Sequence, residues 1–365
     1  MTPPDSPVGE LGPRRRGRRR LTALTAAVGL LAVLLFAWTL HRAGLQDILV
    51  GIRRIGVTGF LAVIALSGLR LGVRTLGWLV CLGTSVRLPF RDAFSAMLMG
   101  EALGNLTPLA TVVSEPAKAV FVRARVPLET SFTALVVENL FYVLSMGLVI
   151  ALGAVAFLFE FRATEGLGVV TVASLAVAGC VGLIGYAVLL ANARPMTAVL
   201  GWLLRRHLLP SALASHVDGA ARLEATVNGF TRRNRARLVP LVALEATFQV
   251  AGIAEVWLTL FLMGAFTGAA WWGLTEALVL ESTGRVVNLL FKFVPFRVGV
   301  DEAGAVLVAD VLRLGPAAGG ALALARKARL LVWTAAGVAL LVARGLSVGR
   351  AVSEAEAAAS LEQER

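Results

Sequence analysis

The stretch VPFRVGVDE, residues 294 to 302, interrupts a long apolar region with a proline, a glycine, an arginine and two adjacent carboxylates. A lipid-facing helix requires none of these. A second stretch, TPLATVVSE at residues 107 to 115, repeats part of the pattern, because a proline again precedes a glutamate by seven positions. Irregular backbone at membrane depth must be buried in protein or line a wet cavity, since unpaired N–H and C=O groups are costly in lipid. Both stretches are therefore candidate site elements.

The composition around these stretches is that of a membrane protein. Hydrophobic residues make up 57% of the 365-residue chain, charged residues make up 16%, and the mean hydropathy is +0.78. Continuous apolar runs of helix-spanning length favour an all-α polytopic fold over a β-barrel, which alternates apolar and polar residues. The net charge of +12 comes from basic residues concentrated at membrane ends and in loops. We therefore expect anionic lipid, and no nucleic acid, as the partner.

The sequence offers no soluble catalytic domain. The HExxH, P-loop and GxGxxG motifs are absent, and no histidines have metal-ligand spacing. Cys81 and Cys180 both fall inside predicted spans, where they suit a role as small apolar fillers. We therefore expect neither an enzyme, nor a metal site, nor another cofactor.

Apolar runs and their flanking charges predict six full spans. Residues 1–20 form a disordered leader that ends in RRRGRRR and keeps the N-terminus in the cytoplasm. The run at 21–40 is interpreted as an uncleaved first helix; a cleaved signal peptide is the alternative, disfavoured by the length of the run. Residues 41–56 are mildly amphipathic and suit the membrane interface. The other spans are predicted at residues 57–85, 129–159, 166–191, 238–263 and 317–342.

Two pairs of shorter apolar segments, each broken by one of the repeated stretches, complete the domain. The pairs are residues 92–106 with 115–124 and residues 271–293 with 301–314, and Pro116 fits the first turn of a helix that begins at Glu115. If each pair enters and leaves on one side, both termini are cytoplasmic. Repeat 1 (57–160) and repeat 2 (238–345) then run in opposite directions, as in transporters with inverted repeats. One membrane domain, residues 21–346, precedes a polar tail at 347–365.

The segment at residues 192–237 changes character, with eight arginines against Asp218 and Glu224. We expect this loop to be cytoplasmic and to lie on the anionic inner leaflet, where each basic residue contributes about 1 kcal/mol. Binding of nucleic acid by the loop is the weaker interpretation.

Charged residues within the predicted membrane elements are the candidate site, because intramembrane charge is expensive. All three lysines of the chain belong to the repeated elements. The repeat register places Glu138 where the other half has Arg326, which predicts an ion pair between them. Arg70 and Arg74, one turn apart, either snorkel or line an anion path. The candidates for substrate binding or gating are Glu115, Lys118, Glu138, Lys292, Arg297, Gly299, Asp301, Glu302, Arg326, Lys327 and Arg329. The alternative is that these charges pair with one another only to hold the fold.

Two motifs resemble a known family. TPLATVVSEPAKAVFVRARV looks like the TP-x-GGEP-x-K-A-x-L-x-R element of the flippase-like family that includes the membrane domain of lysylphosphatidylglycerol synthases and the hopanoid-associated membrane proteins. VPFRVGVDEAGAVLVADVLRLG resembles its second element, P-x-x-x-G-V-x-E-A. Val113 and Ser114 stand where the family has paired glycines. The resemblance places Glu115, Lys118, Arg297, Gly299 and Glu302 at motif positions. It covers roughly residues 20 to 345.

The sequence supports two hypotheses about function. In the first, a multi-pass protein of the cell (inner) membrane moves an anionic lipid, or a polyprenyl-phosphate-linked lipid, between leaflets. In the second, a non-transporting membrane subunit presents a lipid substrate to a separate soluble transferase through the loop at 192–237. The resemblance does not imply aminoacylation, because this chain carries no soluble transferase domain.

Overall fold

The computed structural model describes residues 44–83, 86–107, 110–161, 234–266, 273–291 and 298–345, with isolated positions between 197 and 230. Every regular element in these ranges is helical, which confirms the all-α prediction. The helices are α1 (Leu45–Leu82), α2 (Phe90–Leu106), α3 (Ala110–Phe121), α4 (Leu128–Phe161), α5 (Arg235–Met263), α6 (Leu274–Leu290), α7 (Val300–Val311) and α8 (Pro316–Ala343).

Three helices of the described part of the chain are long and apolar enough to cross a membrane. They are Leu45–Leu82, Leu128–Leu158 and Ala236–Met263, which agree with three of the predicted spans. The fourth long helix, α8, has 28 residues and carries three basic residues near its middle. The leader, the predicted spans at 21–40 and 166–191, most of the loop at 192–237 and the tail lie outside the described residues. The total of six spans therefore stays a prediction.

Helix α1 is two helical segments joined at a kink. Gly56 has φ 62° and ψ −180°, which is not a helical conformation, and its positive φ suits glycine because it has no Cβ. The kink falls where the sequence predicted the boundary between an interfacial segment and a span. The segment before it buries Ile48 and Ile55 and leaves Leu45 and Leu49 exposed.

Helix α3 begins earlier than the sequence predicted. It starts at Ala110, so that Pro116 lies inside the helix and Glu115 is not at the positive end of the helix dipole. A proline inside a helix removes one backbone hydrogen bond and crowds one preceding carbonyl, which packing of the surrounding residues can offset. The neighbouring residues Val113, Ser114 and Ala117 are buried. The interior proline thus lies among buried residues of the same helix.

The corresponding element of the second half agrees with the prediction. Helix α7 begins at Val300, directly after Gly299, which has φ 83°. The Gly299 N–H donates a hydrogen bond of 2.7 Å to Glu302 Oε2, so the carboxylate caps the first turn. Glu302 therefore has the helix-terminal role that was expected of both glutamates.

The order of helices repeats along the chain. A long helix, a 17-residue helix, a 12-residue helix and a second long helix occur as α1 to α4 and again as α5 to α8. The packing partners of the helices are repeated in the same way. Within each half, the two short helices pack on each other. Between the halves, the contact of α4 with α6 is equivalent to that of α8 with α2. Likewise, the contact of α1 with α8 is equivalent to that of α5 with α4. The described helices of the two halves thus have the same order and exchange equivalent packing partners.

Helices α1 and α5 form the most extensive helix pair and run antiparallel. A Cβ built on Gly59 would meet Leu262, whereas one built on Gly77 would meet Leu241, so contacts advance in opposite directions along the two helices. Two apolar clusters lie at opposite ends of this pair. One contains Trp78 of α1, and the other contains Ile48 of α1. The buried charges of α1 lie between these clusters.

Candidate functional site

The site is organised on α1, whose Arg70 and Arg74 point to two different groups of carboxylates. Their side chains are only 13% and 12% exposed, and both pair with buried glutamates. The snorkelling interpretation of these arginines is therefore wrong. Arg70 stacks over the Phe248 ring and Arg74 over the Tyr142 ring, at 4.6 and 4.5 Å from the ring centroids. These rings fix the guanidinium planes by cation–π contacts.

The first group, the carboxylate cluster, consists of Arg74, Glu101, Glu115, Lys118 and Glu138. Lys118 Nζ lies 2.8 Å from Glu101 Oε1 and 2.8 Å from Glu115 Oε1. Arg74 Nε donates to Glu138 Oε1 at 3.0 Å, and its Nη1 lies 3.4 Å from Glu101 Oε1. Helices α1, α2, α3 and α4 each contribute to the cluster. Lys118 and Glu138 are completely buried, so the charges rely on one another for solvation.

The second group, the arginine cluster, is centred on Glu281 and Glu255. Glu281 accepts from Arg285 Nη2 at 2.7 Å and from Arg326 Nη2 at 2.7 Å through its two oxygens. Arg70 Nη2 lies 3.8 Å from Glu281 Oε1. One carboxylate thus faces three guanidinium groups, contributed by α1, α6 and α8.

Glu255 of α5 forms the other half of the arginine cluster. It accepts from Arg70 Nη1 at 2.9 Å, and its Oε1 lies 2.7 Å from Arg329 Nη1. The complete cluster therefore holds four arginines and two glutamates, a formal charge of +2, and contains Arg70, Arg285, Arg326, Arg329, Glu255 and Glu281. Positive charge that is buried to this degree is suited to an anionic ligand.

A cavity of about 140 Å³, the arginine cavity, opens against this cluster. Its described lining includes five basic side chains and three acidic ones, namely Arg70, Arg285, Arg326, Lys327, Arg329, Glu255, Glu281 and Asp301. The Thr283 and Asn288 side chains add neutral polar groups. The lining can therefore bind a compact anion by charge and by hydrogen bonds.

A second cavity of about 170 Å³, the bridging cavity, lies beside the first. Both cavities are lined by Arg70, Arg329 and Leu330. The bridging cavity is also lined by Arg74 and Glu101 of the carboxylate cluster. It therefore connects the two charged groups.

Helix α7 adds a smaller ionic contact at the edge of the arginine cavity. Lys327 Nζ lies 3.3 Å from Glu302 Oε1 and 3.6 Å from Asp301 Oδ2. Because Glu302 also accepts the Gly299 N–H, one side chain joins the start of α7 to α8. The repeated loop of the second half is thus tied to the helix that carries Arg326 and Arg329.

The structure brings most of the predicted site residues into these contacts, but the one predicted ion pair is not formed. The ion pair expected between Glu138 and Arg326 is wrong, because Glu138 pairs with Arg74 and Arg326 pairs with Glu281. The repeat register identifies equivalent positions, and equivalent positions need not touch. Lys292 and Arg297 lie outside the described residues.

Several residues of the site were not among the sequence-based candidates. Glu101 belongs to the first half, and Glu255, Glu281 and Arg285 belong to the second. Arg70 and Arg74 were considered from the sequence either as snorkelling residues or as part of an anion path. The signal that could have found them is the presence of any charge inside an apolar helix. The candidates came from the repeated stretches and the segments next to them, so Glu101, Glu255, Glu281 and Arg285 were omitted.

Comparison with known proteins identifies the family. A family model described as the lysylphosphatidylglycerol synthase TM region matches residues 24–337, which is most of the chain. This finding confirms the resemblance of the two motifs. Neither a curated protein nor a solved structure matches the chain.

Proposed function

We propose that this chain, which belongs to the family of lysylphosphatidylglycerol synthase transmembrane regions, transports an anionic lipid or a polyprenyl-phosphate-linked lipid between leaflets. The arginine cavity is the observation that carries the proposal. Its described lining has an excess of two positive charges in a body of apolar helices. A phosphate-bearing head group supplies the matching negative charge, and guanidinium groups bind phosphate with two parallel hydrogen bonds.

The repeated order and equivalent packing of the helices in the two halves support movement across the membrane. Transporters with inverted repeats place their site at the repeat interface, and alternate access by rocking one repeat against the other. Here, the arginine cavity is lined by α1 and α4 of the first half and by α5 to α8 of the second. In the proposed arrangement the two halves have opposite orientations in the cell (inner) membrane, and both termini are cytoplasmic.

Transport is tested with the purified protein in vesicles that contain a fluorescent lipid. Probes are phosphatidylglycerol, a short polyprenyl phosphate, and zwitterionic phosphatidylcholine as the control. A membrane-impermeant quencher reports how much probe reaches the outer leaflet. We expect faster movement of at least one anionic probe and no acceleration of phosphatidylcholine. Equal acceleration of all probes would contradict an anion-selective site. No acceleration of any probe would favour the non-transporting subunit instead.

A matched pair of variants on α8 locates the site. Arg326→Gln removes a guanidinium that lines the arginine cavity, whereas Arg344→Gln changes an exposed arginine at the end of the same helix. Loss of a hydrogen bond to a charged group costs about 1.5–3 kcal/mol, so we expect transport by Arg326→Gln to fall by roughly 10- to 100-fold. Transport by Arg344→Gln should stay close to wild type. Melting of each variant is measured alongside, so that misfolding is recognised.

A further inference from the structure

The carboxylate cluster has an excess of negative charge. It contains three glutamates against one arginine and one lysine, a formal charge of −1 if every group is ionised. The two most buried members, Lys118 and Glu138, have no exposed surface. A single uncompensated charge is expensive in such a place, and a carboxyl group avoids the expense by taking up a proton.

Unpartnered oxygens show where a proton would be held. Glu138 uses only Oε1 to pair with Arg74, and its Oε2 is buried without a hydrogen-bond partner. Glu115 Oε2 is likewise buried and unpartnered, while its Oε1 faces Lys118. An ionised carboxylate is stabilised by donors at both oxygens, whereas a protonated carboxyl group carries no charge that must be solvated. Glu138, which has no exposed surface, is therefore the principal candidate.

Other polar groups face Glu138 and Arg74 from the surrounding helices. Helix α4 adds Asn139, whose Oδ1 lies 3.5 Å from Arg74 Nη2, and the Tyr142 ring. Helix α5 adds Glu245: a Cβ built on Gly77 of α1 would lie within 4.0 Å of Glu245 Oε1 and 3.7 Å from Glu138 Cγ. Glu245 Oε2 accepts from Ser145 Oγ at 3.2 Å, and Gln249 Nε2 donates to Ser145 at 2.5 Å. Helices α2 and α3 contribute the glutamates and the lysine of the cluster itself.

Arg74 connects this cluster to the cavity that lies beside the proposed anion site. It lines the bridging cavity together with Arg70 and Arg329, which also line the arginine cavity. An anion in the bridging cavity would compete with Glu138 and Glu101 for the Arg74 guanidinium. The cluster then loses part of its positive charge, and the affinity of its carboxylates for a proton rises.

We propose that the carboxylate cluster is a proton-binding site, and that one proton moves from water to Glu138 when an anion binds beside Arg74. This inference rests on the proposed function, because it assigns the coupling ion of the same transport site. The step is a proton transfer with no redox change: the bond to hydrogen in a hydronium ion or a buffer acid breaks, and an O–H bond forms on the Glu138 carboxyl group. Linkage is reciprocal, so the proton must strengthen anion binding by the same factor. A proton gradient would then drive the anion in the direction in which protons flow.

The test measures protons and lipid binding together in the purified full-length protein. The protein in detergent and weak buffer near neutral pH, with a pH-indicator dye, is titrated with dihexanoyl phosphatidylglycerol. Its phosphodiester does not titrate near neutral pH, so any proton taken up is bound by the protein. Dihexanoyl phosphatidylcholine is the control. We expect uptake of up to one proton per bound phosphatidylglycerol, and an affinity that rises as the pH falls, by at most about tenfold per pH unit.

Two substitutions on α4 assign the proton. Glu138→Gln imitates the protonated side chain, so phosphatidylglycerol should bind without proton uptake and with an affinity that does not change with pH. Glu129→Gln makes the same change at an exposed position of the same helix and should behave as wild type. If Glu138→Gln does not fold, the wild-type titration still decides whether a proton is bound.

Each outcome has a distinct meaning. Binding of phosphatidylglycerol by the wild type without proton uptake overturns the proton site and leaves the proposed function intact. Absence of binding contradicts an anion site for this lipid and the linked proton with it. Proton uptake that persists in Glu138→Gln but disappears in Glu245→Gln overturns the assignment to Glu138.

Discussion

Lys118 illustrates what a single residue contributes to this molecule. Its side chain is completely buried, and Nζ lies 2.8 Å from both Glu101 and Glu115. The narrow space is provided by Gly100, since a Cβ there would overlap the Lys118 side chain. A compact ammonium group on an unbranched stem fits such a space better than a planar guanidinium group does.

Removal of this buried cation should destabilise the protein strongly. In Lys118→Met, two carboxylates lose their closest cation, and breaking a buried ion pair costs about 3–5 kcal/mol. Arg125→Met is the control, because Arg125 pairs with Asp92 while 57% of its side chain is exposed. That change should cost less than about 1 kcal/mol. Denaturant titration of both variants in detergent measures the difference between their free energies of unfolding. Similar stability of the two variants would mean that the carboxylate cluster is neutralised by other means.

At the scale of single residues, the sequence predicts which residues belong to the site better than it predicts which residues they contact. Glu115 and Lys118 were found because a motif with helical spacing contains both. Glu101 was missed, since its contact with Lys118 joins helices α2 and α3 and depends on how they pack. Helix packing also explains why Glu138 meets Arg74 and not Arg326.

At the scale of the helices, two glycines hold the exchanged packing together. A Cβ on Gly153 of α4 would overlap Ser282 of α6, and a Cβ on Gly337 of α8 would overlap the Leu98 carbonyl of α2. The last long helix of each half thus approaches the first short helix of the other half at a glycine. Small residues at such contacts let helix backbones come close in membranes, where van der Waals packing replaces the hydrophobic effect.

Substitution of either glycine should force these helices apart. We expect Gly153→Ala and Gly337→Ala to destabilise the protein by about 1–3 kcal/mol each, as overpacking does in well-packed cores. Gly72→Ala is the matched control, because a Cβ there would make only an ordinary contact of 3.8 Å with Phe90. Since alanine favours helix over glycine, that control should be neutral or stabilising by up to about 1 kcal/mol. Thermal melting of the three variants tests this prediction. Equal losses of stability in all three would refute a role for Gly153 and Gly337 in close helix contacts.

The helix boundaries show which local signals were sufficient. The predicted ends of α4, α5 and α8 lie within a few residues of the observed ones, because apolar runs of that length have clear limits. The start of α3 was placed five residues too late, since Pro116 was taken as a first-turn residue. Proline is a weaker signal of a helix start where the residues before and after it are buried and stabilise the helix.

At the scale of the whole molecule, the antiparallel pair of α1 and α5 relates the two halves. Arg54 Nη1 donates to the Met263 carbonyl at 3.3 Å, so the start of α1 lies beside the end of α5. The sequence predicted opposite directions for the two halves from charge bias and span counting. It could not predict which helix of one half packs on which of the other.

The orientation in the membrane can be tested with single cysteines at the two ends of α5. After replacement of Cys81 and Cys180, Ala265→Cys should react with an impermeant thiol reagent in intact cells, because positive-inside bias places that loop outside. Ala236→Cys, at the arginine-rich end of the same helix, should react only after the cells are permeabilised. The reverse pattern would invert the topology, and equal labelling at both ends would argue against a spanning α5.

The exchanged packing of the halves also bears on how the protein is made. Helix α2 packs on α8, which leaves the ribosome after the other described helices, whereas α4 must await α6. The first half therefore enters the bilayer with Gly153 uncovered and with the surface of α2 that receives Gly337 still open. During synthesis, lipid or another membrane protein must cover these surfaces until the second half arrives. A ribosome that stalls between the halves should consequently leave a product that membrane proteases remove quickly.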